Sequence, residues 1–271
     1  MMEKTCYLTR IKDEEKLIYY NLIYHYSLGI RRFYITLNNS NDETVQEIKR
    51  FIDDKKDAVV SMITNTDTSY TQPETFTQMS DMALDNGFQW HIPVDADELL
   101  VIKGKSLNDF LAQYNKHEYG FIRFPWVDYH PTDLDTHNDP NFFSRWEHRR
   151  DVPRGPSKII AKWQKGCRYG DGHHLLVAKR NELATIPIEQ GFYAHFVNRE
   201  RDQIKNKRIR IGEAFVEKYG INSEKPQITE YKKWLDQGEA YFDQVWKDLK
   251  TKRAKLFKTL IHDPIDHGMF E

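Results

Sequence analysis

Between Phe88 and Leu100 the chain runs through an apolar stretch into three carboxylates, Asp95, Asp97 and Glu98, and then returns to apolar residues. In an extended segment, residues i and i+2 point to the same side. Asp95 and Asp97 are therefore expected to aim at one point, with Ala96 leaving the opposite side uncrowded. Two carboxylates this close raise each other's pKa unless a cation lies between them. A hard divalent ion, Mn2+ or Mg2+, held by oxygen ligands and shared with a substrate phosphate, meets that need. A solvated loop, a helix cap or a calcium-binding turn could use the same residues. The apolar run Leu99-Leu100-Val101-Ile102 that follows weighs against a surface loop, because carboxylates wedged between buried segments need a partner.

Further along, His195 stands in the apolar strand pattern Tyr193-Ala194-His195-Phe196-Val197. It reads either as a core histidine bonded to a backbone carbonyl or as a nitrogen ligand that completes an oxygen, oxygen, nitrogen set with Asp95 and Asp97. His173 and His174 occupy a glycine-rich turn, where they orient an acceptor hydroxyl, bind phosphate or lie idle in solvent. A basic run from Arg199 to Arg210 follows His195. Most of it reads as a solvated helix face, although Arg199 and Lys205 are placed to reach a diphosphate. Lys158, in a strand after a loop, is a similar candidate.

The elements that must position these residues alternate. Strands are expected at Cys6–Thr9, Arg32–Leu37, Ala58–Ile63 and Phe88–Val94. Between them, apolar residues at helical spacing place helices from Asp13 to Gly29, from Glu43 to Asp53 and from Thr71 to Asn86. Strands alternating with helices imply an α/β fold with a mostly parallel sheet flanked by helices. Ligands bind at the carboxyl ends of such strands. Those ends are Thr9-Arg10, Asn38-Asn39, Asn65 to Asp67, and Asp95 to Asp97, all polar. Beyond residue 105 the pattern is less regular. A helix is expected over 106–114 and strands over 120–124, 142–146, 157–162 and 192–197, with loops over 131–141 and 151–156. From residue 201 the chain reads as helix, in three segments that end near residue 260. The expected organisation is a catalytic domain over residues 1–200 and a C-terminal helical extension over 201–271 packed on it.

The whole chain sets bounds. Its 271 residues carry 40 basic and 41 acidic side chains, a formal net charge of −1, which gives no global attraction to nucleic acid or anionic lipid. Two cysteines, Cys6 and Cys167, are too few for a disulfide framework. The sequence shows neither a signal-peptide apolar region nor a membrane-spanning apolar stretch. A cytoplasmic location is expected, with peripheral contact at the inner membrane face if the acceptor is lipid-linked.

These residues, in this order, resemble the family 2-like glycosyltransferases of the GT-A fold, in particular a bacterial subgroup that builds surface glycan, lipopolysaccharide and capsule. The likeness rests on Lys12-Asp13-Glu14-Glu15, on Tyr24-His25 and on Phe33 to Asp42 with its Asn-x-Ser-x-Asp turn. It continues through Gln78, Trp90 to Leu100 with its DxDE, Phe124-Pro125-Trp126, Lys158, His173-His174 and Ala194-His195-Phe196 with Arg199 and Gln203. It spans about residues 5–210. The resemblance implies a Rossmann-like catalytic domain, a nucleotide-sugar donor (UDP- or GDP-linked), a divalent metal and hexosyltransferase-like chemistry on a glycan or lipid-linked acceptor. It further implies that Asp97 ligates the metal bridging the diphosphate, that Asp95 faces the donor ribose or the metal, and that His195 is a late metal ligand. Thr9, Arg10, Asn38 and Asp67 would line the nucleotide, with Lys158 and Arg199 towards the diphosphate. The chain departs from the pattern in lacking an acidic pair between residues 120 and 200 to supply a general base. Asp171, beside His173, is the stand-in, and Asp128 and Glu147 are others. Leu37 also stands where many relatives carry an acid.

Two rival readings use the same residues. A metal-dependent nucleotidyltransferase would show a glycine-rich basic loop after its first strand, where this chain has Arg10 to Glu15; a phosphoesterase would show clustered His and Asp ligands near the N-terminus. A non-catalytic nucleotide-sugar-binding module would keep the donor site without a base.

Overall fold

A computed structural model describes residues 4–64, 72–132, 139–196, 198, 200–256 and 260–270. The first half follows the expected alternation: β1 (Thr5–Ile11), α1 (Ile18–Ser27), β2 (Arg32–Leu37), α2 (Thr44–Asp54), β3 (Val59–Thr64), α3 (Gln72–Asp85) and β4 (Trp90–Pro93). Then come β5 (Glu98–Ile102), α4 (Leu107–Ala112), β6 (Gly120–Asp128), α5 (Phe142–Arg145), β7 (His148–Arg150) and β8 (Arg154–Lys162). The chain continues through β9 (Arg168–Tyr169), β10 (Leu176–Ala178), β11 (Glu182–Thr185) and β12 (Gly191–His195). It closes with α6 (Arg201–Tyr219), α7 (Pro226–Gln237), α8 (Glu239–Leu256) and β13 (Leu260–His262).

The chain divides into two compact units whose segments interleave along the sequence. One gathers the chain up to Asp128, Val152–His195 and the stretch from Ile265; the other is Tyr129–Asp151 with Phe196–Pro264. The first holds a nine-stranded sheet ordered β3-β2-β1-β4-β8-β6-β12-β5, with β11 on β6. The strands β3, β2, β1 and β4 are mutually parallel, as the alternation requires. Strand β8 is antiparallel to both β4 and β6, so β4 and β6 share a direction, and β12 runs parallel to β6. The sheet is a mixed α/β one because β8 and β5 enter it antiparallel.

Strand β1 explains the core. Tyr7 and Ile11 face one cluster with Ile18, Leu22, Phe33 and Phe51, while Cys6 and Leu8 face another with Tyr34, Phe76, Met79 and Ala83. Period-two alternation sends successive side chains to opposite faces, and both faces are covered, so the middle of the strand, Cys6-Tyr7-Leu8, is apolar and buried on both. Gly120 opens β6 at φ +148°, where an added Cβ would sit 2.5 Å from the Asn181 carbonyl oxygen. That close approach lets β11 join β6, and only glycine permits it.

Several local expectations change. Lys12 to Glu15 do not start a helix. Asp13 has φ 54°, and the backbone N–H groups of Asp13, Glu14 and Glu15 donate to Ser40, Thr44 and Asp42 side chains. These acids belong to a reciprocal turn-to-turn lock. Residues 142–145, expected as strand, form a single helical turn because Asn141 caps the Phe143 N–H at 3.0 Å. Strand β8 begins at Arg154, inside the expected loop, because Arg154 pairs with Trp126. The expected last helix is seen over Glu239–Leu256, and Leu260–His262, its expected end, pair with β7 as strand β13.

In the second unit, Phe196 stacks on Tyr129 at 4.7 Å and meets Phe143 edge-on at 5.0 Å. Among the described residues no helix is long and apolar enough to cross a membrane.

Candidate active site

Strands β4, β6 and β12 share a direction, so their carboxyl ends open on one edge of the sheet. Asp95 follows β4 by two residues, Asp128 ends β6 and His195 ends β12. Antiparallel β5 begins at that edge with Glu98, and β8 brings Lys158 there beside Phe124. In register, His195 has Asp128 as partner on one side and Glu98 on the other.

Asp95, Ala96 and Asp97 are not extended. They form a turn in which the Glu98 N–H donates to the Asp95 carbonyl at 2.9 Å, and the Asp95 N–H donates to Glu98 Oε2 at 3.2 Å. The turn is clamped from α1. Asn21 Nδ2 donates to the carbonyls of Ala96 at 3.1 Å and Glu98 at 2.7 Å, while its Oδ1 accepts from the Tyr7 hydroxyl at 2.7 Å. One turn on, His25 Nε2 accepts from the Leu100 N–H at 3.3 Å and Nδ1 donates to the Asn21 carbonyl at 2.8 Å. Burial pushes the His25 pKa down to about 4, which keeps the ring neutral and able to accept.

The turn separates the two aspartates, so they do not aim at one point as an extended segment would have them. Asp95 Oδ2 lies 2.9 Å from Lys158 Nζ, and Glu98 Oε1 lies 2.9 Å from the same ammonium. His173 Nε2 at 3.1 Å and the Gly172 carbonyl at 3.2 Å complete its surroundings. Lys158 is only 1 % exposed and Glu98 is fully buried. Burial opposes ionisation of Asp95, but the Lys158 ammonium beside it outweighs that and holds the carboxyl well below the usual range. Burial likewise opposes the charge on Lys158, and Asp95 and Glu98 raise its pKa above the usual lysine value.

Asp97 goes the other way. Its Oδ2 lies 3.9 Å from His195 Nε2. The other ring nitrogen, Nδ1, is 2.7 Å from Asp128 Oδ1, and Arg154 approaches that carboxylate oxygen at 3.6 Å. With Nδ1 donating to Asp128, Nε2 presents its lone pair toward Asp97. Trp126 lies under this group, its ring 4.5 Å from the His195 ring and 4.8 Å from both Lys158 Nζ and the Arg154 guanidinium.

Of the residues singled out in the sequence, Asp95, Asp97, Lys158, His173 and His195 come together, and Lys158 points inward to carboxylates instead of outward to a diphosphate. His173 is buried at φ 46°, in a left-handed turn with Gly172, so it is neither idle nor solvent-facing. Asp171 is exposed at the start of that turn. Thr9 is wholly buried, because β1 lies mid-sheet with both faces covered, whereas Arg10 and Asn38 are partly exposed at the ends of their strands. Lys205 pairs with Glu239 within the second unit, as does Arg201, an exposed helix-to-helix network. Asp67 and Arg199 lie outside the described residues.

The sequence names Asp128 only as an alternative base and Trp126 only within the family likeness, and it gives Asn21 no role at the site. Asp128 carries the same signal as Asp95, an apolar strand ending in a carboxylate, but the strand was expected to end at Phe124. Its bond to His195 makes it an orienting group for the ring.

These acidic and imidazole groups stand at the carboxyl ends of β4, β6 and β12, the edge at which ligands bind in α/β sheets of this kind. The profile of glycosyltransferase family 92 matches residues 11–238, and the chain belongs to that family: it is a glycosyltransferase. The expectation of sugar transfer is met, and the family is 92; the match does not name the family 2-like subgroup. It also runs to the end of α7, well beyond residue 200. No curated protein matches the chain in sequence. Among solved structures, it is similar to the mannosyltransferase PcManGT from Pyrobaculum calidifontis in complex with GDP-Man and Mn2+. The two are 12% identical over 94% of this chain and 76% of that one, with a TM-score of 0.45. It is also similar to HddC from Yersinia pseudotuberculosis, at 11% identity over 76% of this chain and 97% of the other, with a TM-score of 0.38.

Proposed function

We propose that the chain transfers a sugar from a UDP- or GDP-linked donor to a glycan or lipid-linked acceptor, with Mn2+ or Mg2+, in bacterial surface polysaccharide synthesis. The observation that carries the metal assignment is the line from Asp128 through His195 to Asp97. A carboxylate that fixes one ring nitrogen and turns the other toward a second carboxylate is the arrangement metal-binding histidines adopt. Oxygen and imidazole donors suit Mn2+, and 3.9 Å is a span that two ligands of one ion can have. The charges fit as well: Asp95, Asp97 and Glu98 less the Lys158 ammonium leave two negative charges for a divalent ion.

Asp97 and His195 would hold the ion, with Asp95 at its side. When bound, it supplies Lewis-acid stabilisation of charge on the leaving diphosphate. Arg10 and Asn38 would meet the nucleotide at the ends of β1 and β2. Asp171, exposed at the start of the His173 turn, would take the acceptor proton, a role that needs hydrogen-bond reach to the hydroxyl.

The test is a panel of nucleotide sugars in thermal-shift assays with Mn2+, with Mg2+ and with chelator. One donor should raise the melting temperature only when metal is present. Equal stabilisation by that donor in chelator would overturn the metal assignment. Absence of transfer from any donor that binds would favour a binding module.

A further inference from the structure

We infer that Lys158 is a built-in cation. It fills the position among Asp95, Glu98 and His173 that a metal would otherwise take, and so confines the divalent ion to the Asp97 and His195 side. The inference rests on the metal reading above and goes beyond it.

The ligand atoms of Asp95, Glu98 and His173 lie within 4.8 Å of one another, close enough for one ion. Lys158 Nζ is already there, 2.9 Å from each carboxylate, 3.1 Å from the imidazole nitrogen and 3.2 Å from the Gly172 carbonyl. An ammonium has three donors and no acceptor, so this shell of oxygen and nitrogen acceptors satisfies it fully. For Nε2 of His173 to accept from the ammonium, its ring proton must sit on Nδ1.

The surroundings make the placement fixed. Glu98 is wholly buried and starts β5, Lys158 is mid-strand in β8, and the His173 ring packs against Phe76 at 4.7 Å. A buried carboxylate pair without a cation is strongly disfavoured. The ammonium therefore does two things. It holds the Asp95 carboxylate at 2.9 Å, on the side of the turn away from Asp97, and it blocks a second divalent ion. Lys158 is a positioning residue.

The experiment counts Mn2+ per chain by electron paramagnetic resonance and follows melting temperature with and without Mn2+. In Lys158→Met, the count should rise by one over the wild type, with Mn2+ now raising the melting temperature by a larger increment. A folded Lys158→Met protein with the wild-type count and increment would overturn the inference. The wild-type count tests the other reading by itself: zero bound Mn2+ there sinks the metal assignment, whatever the variant shows. If Lys158→Met does not fold, the charge-balanced Glu98→Gln/Lys158→Met protein replaces it. That protein should bind Mn2+ about ten-fold more weakly at the remaining site, because Asp95 has lost its anchor. Wild-type Mn2+ affinity in that folded double variant would overturn the inference equally.

Discussion

His195 Nδ1 and Asp128 Oδ1 are 2.7 Å apart across adjacent parallel strands, and the two residues are direct register partners. The bond is thus set by strand pairing, and both groups are nearly buried. Replacing Asp128 by Asn keeps the shape but removes the charge and lets the ring adopt the other tautomer. Mn2+ affinity should fall about 10- to 100-fold while the fold persists. Isothermal titration with Mn2+ checks this, and unchanged affinity would show that Asp128 does not orient a metal ligand.

Asp97 is the sharper test of chemistry. Its Oδ2 lies 3.9 Å from His195 Nε2. Asp97→Ala should lower transfer by on the order of 100-fold or more and abolish metal-dependent nucleotide binding. The variant should remain folded, with a cooperative thermal transition. Normal turnover in this variant would sink the mechanism.

Asn21 joins Tyr7, Ala96 and Glu98 through three buried hydrogen bonds. Asn21→Ala strands two carbonyls and a hydroxyl, at a cost of about 3 kcal/mol. Asn21→Asp should be worse, because a carboxylate cannot donate to the carbonyls. Urea unfolding measures both, and a loss below about 1 kcal/mol for Asn21→Ala would mean that the turn holds without its clamp.

His25 and His91 make stability depend on pH. Burial pushes the pKa of each down to about 4, against about 6.5 in an unfolded chain. Between these values the unfolded state binds more protons, so stability is full above about pH 6.5 and falls as pH drops toward 4. Each histidine contributes about 3 kcal/mol to that loss. Melting temperature followed from pH 8 to pH 4 should decline mainly in that window. A flat profile would contradict neutral burial of both rings.

The alternation of apolar strands and amphipathic helices in the first hundred residues is a local property, so β1 to β4 and the parallel order were legible in the sequence. So was the carboxylate-rich end of β4, because an apolar run that stops at Asp95 is visible without a fold. The sequence determined which groups could do chemistry: Asp95, Asp97, Lys158, His173 and His195. It did not determine which carboxylate meets which cation. That depends on a turn closed by the Glu98 N–H and on a clamp from α1, some 75 residues earlier, to Ala96. Periodicity cannot report such long-range pairing. Tertiary structure alone brought Lys158 on β8 between Asp95 and Glu98, and set Asp128 on β6 beside His195 on β12. Strand order and register decide those neighbours, and both follow from how apolar faces pack against one another, not from the spacing of the charged residues themselves.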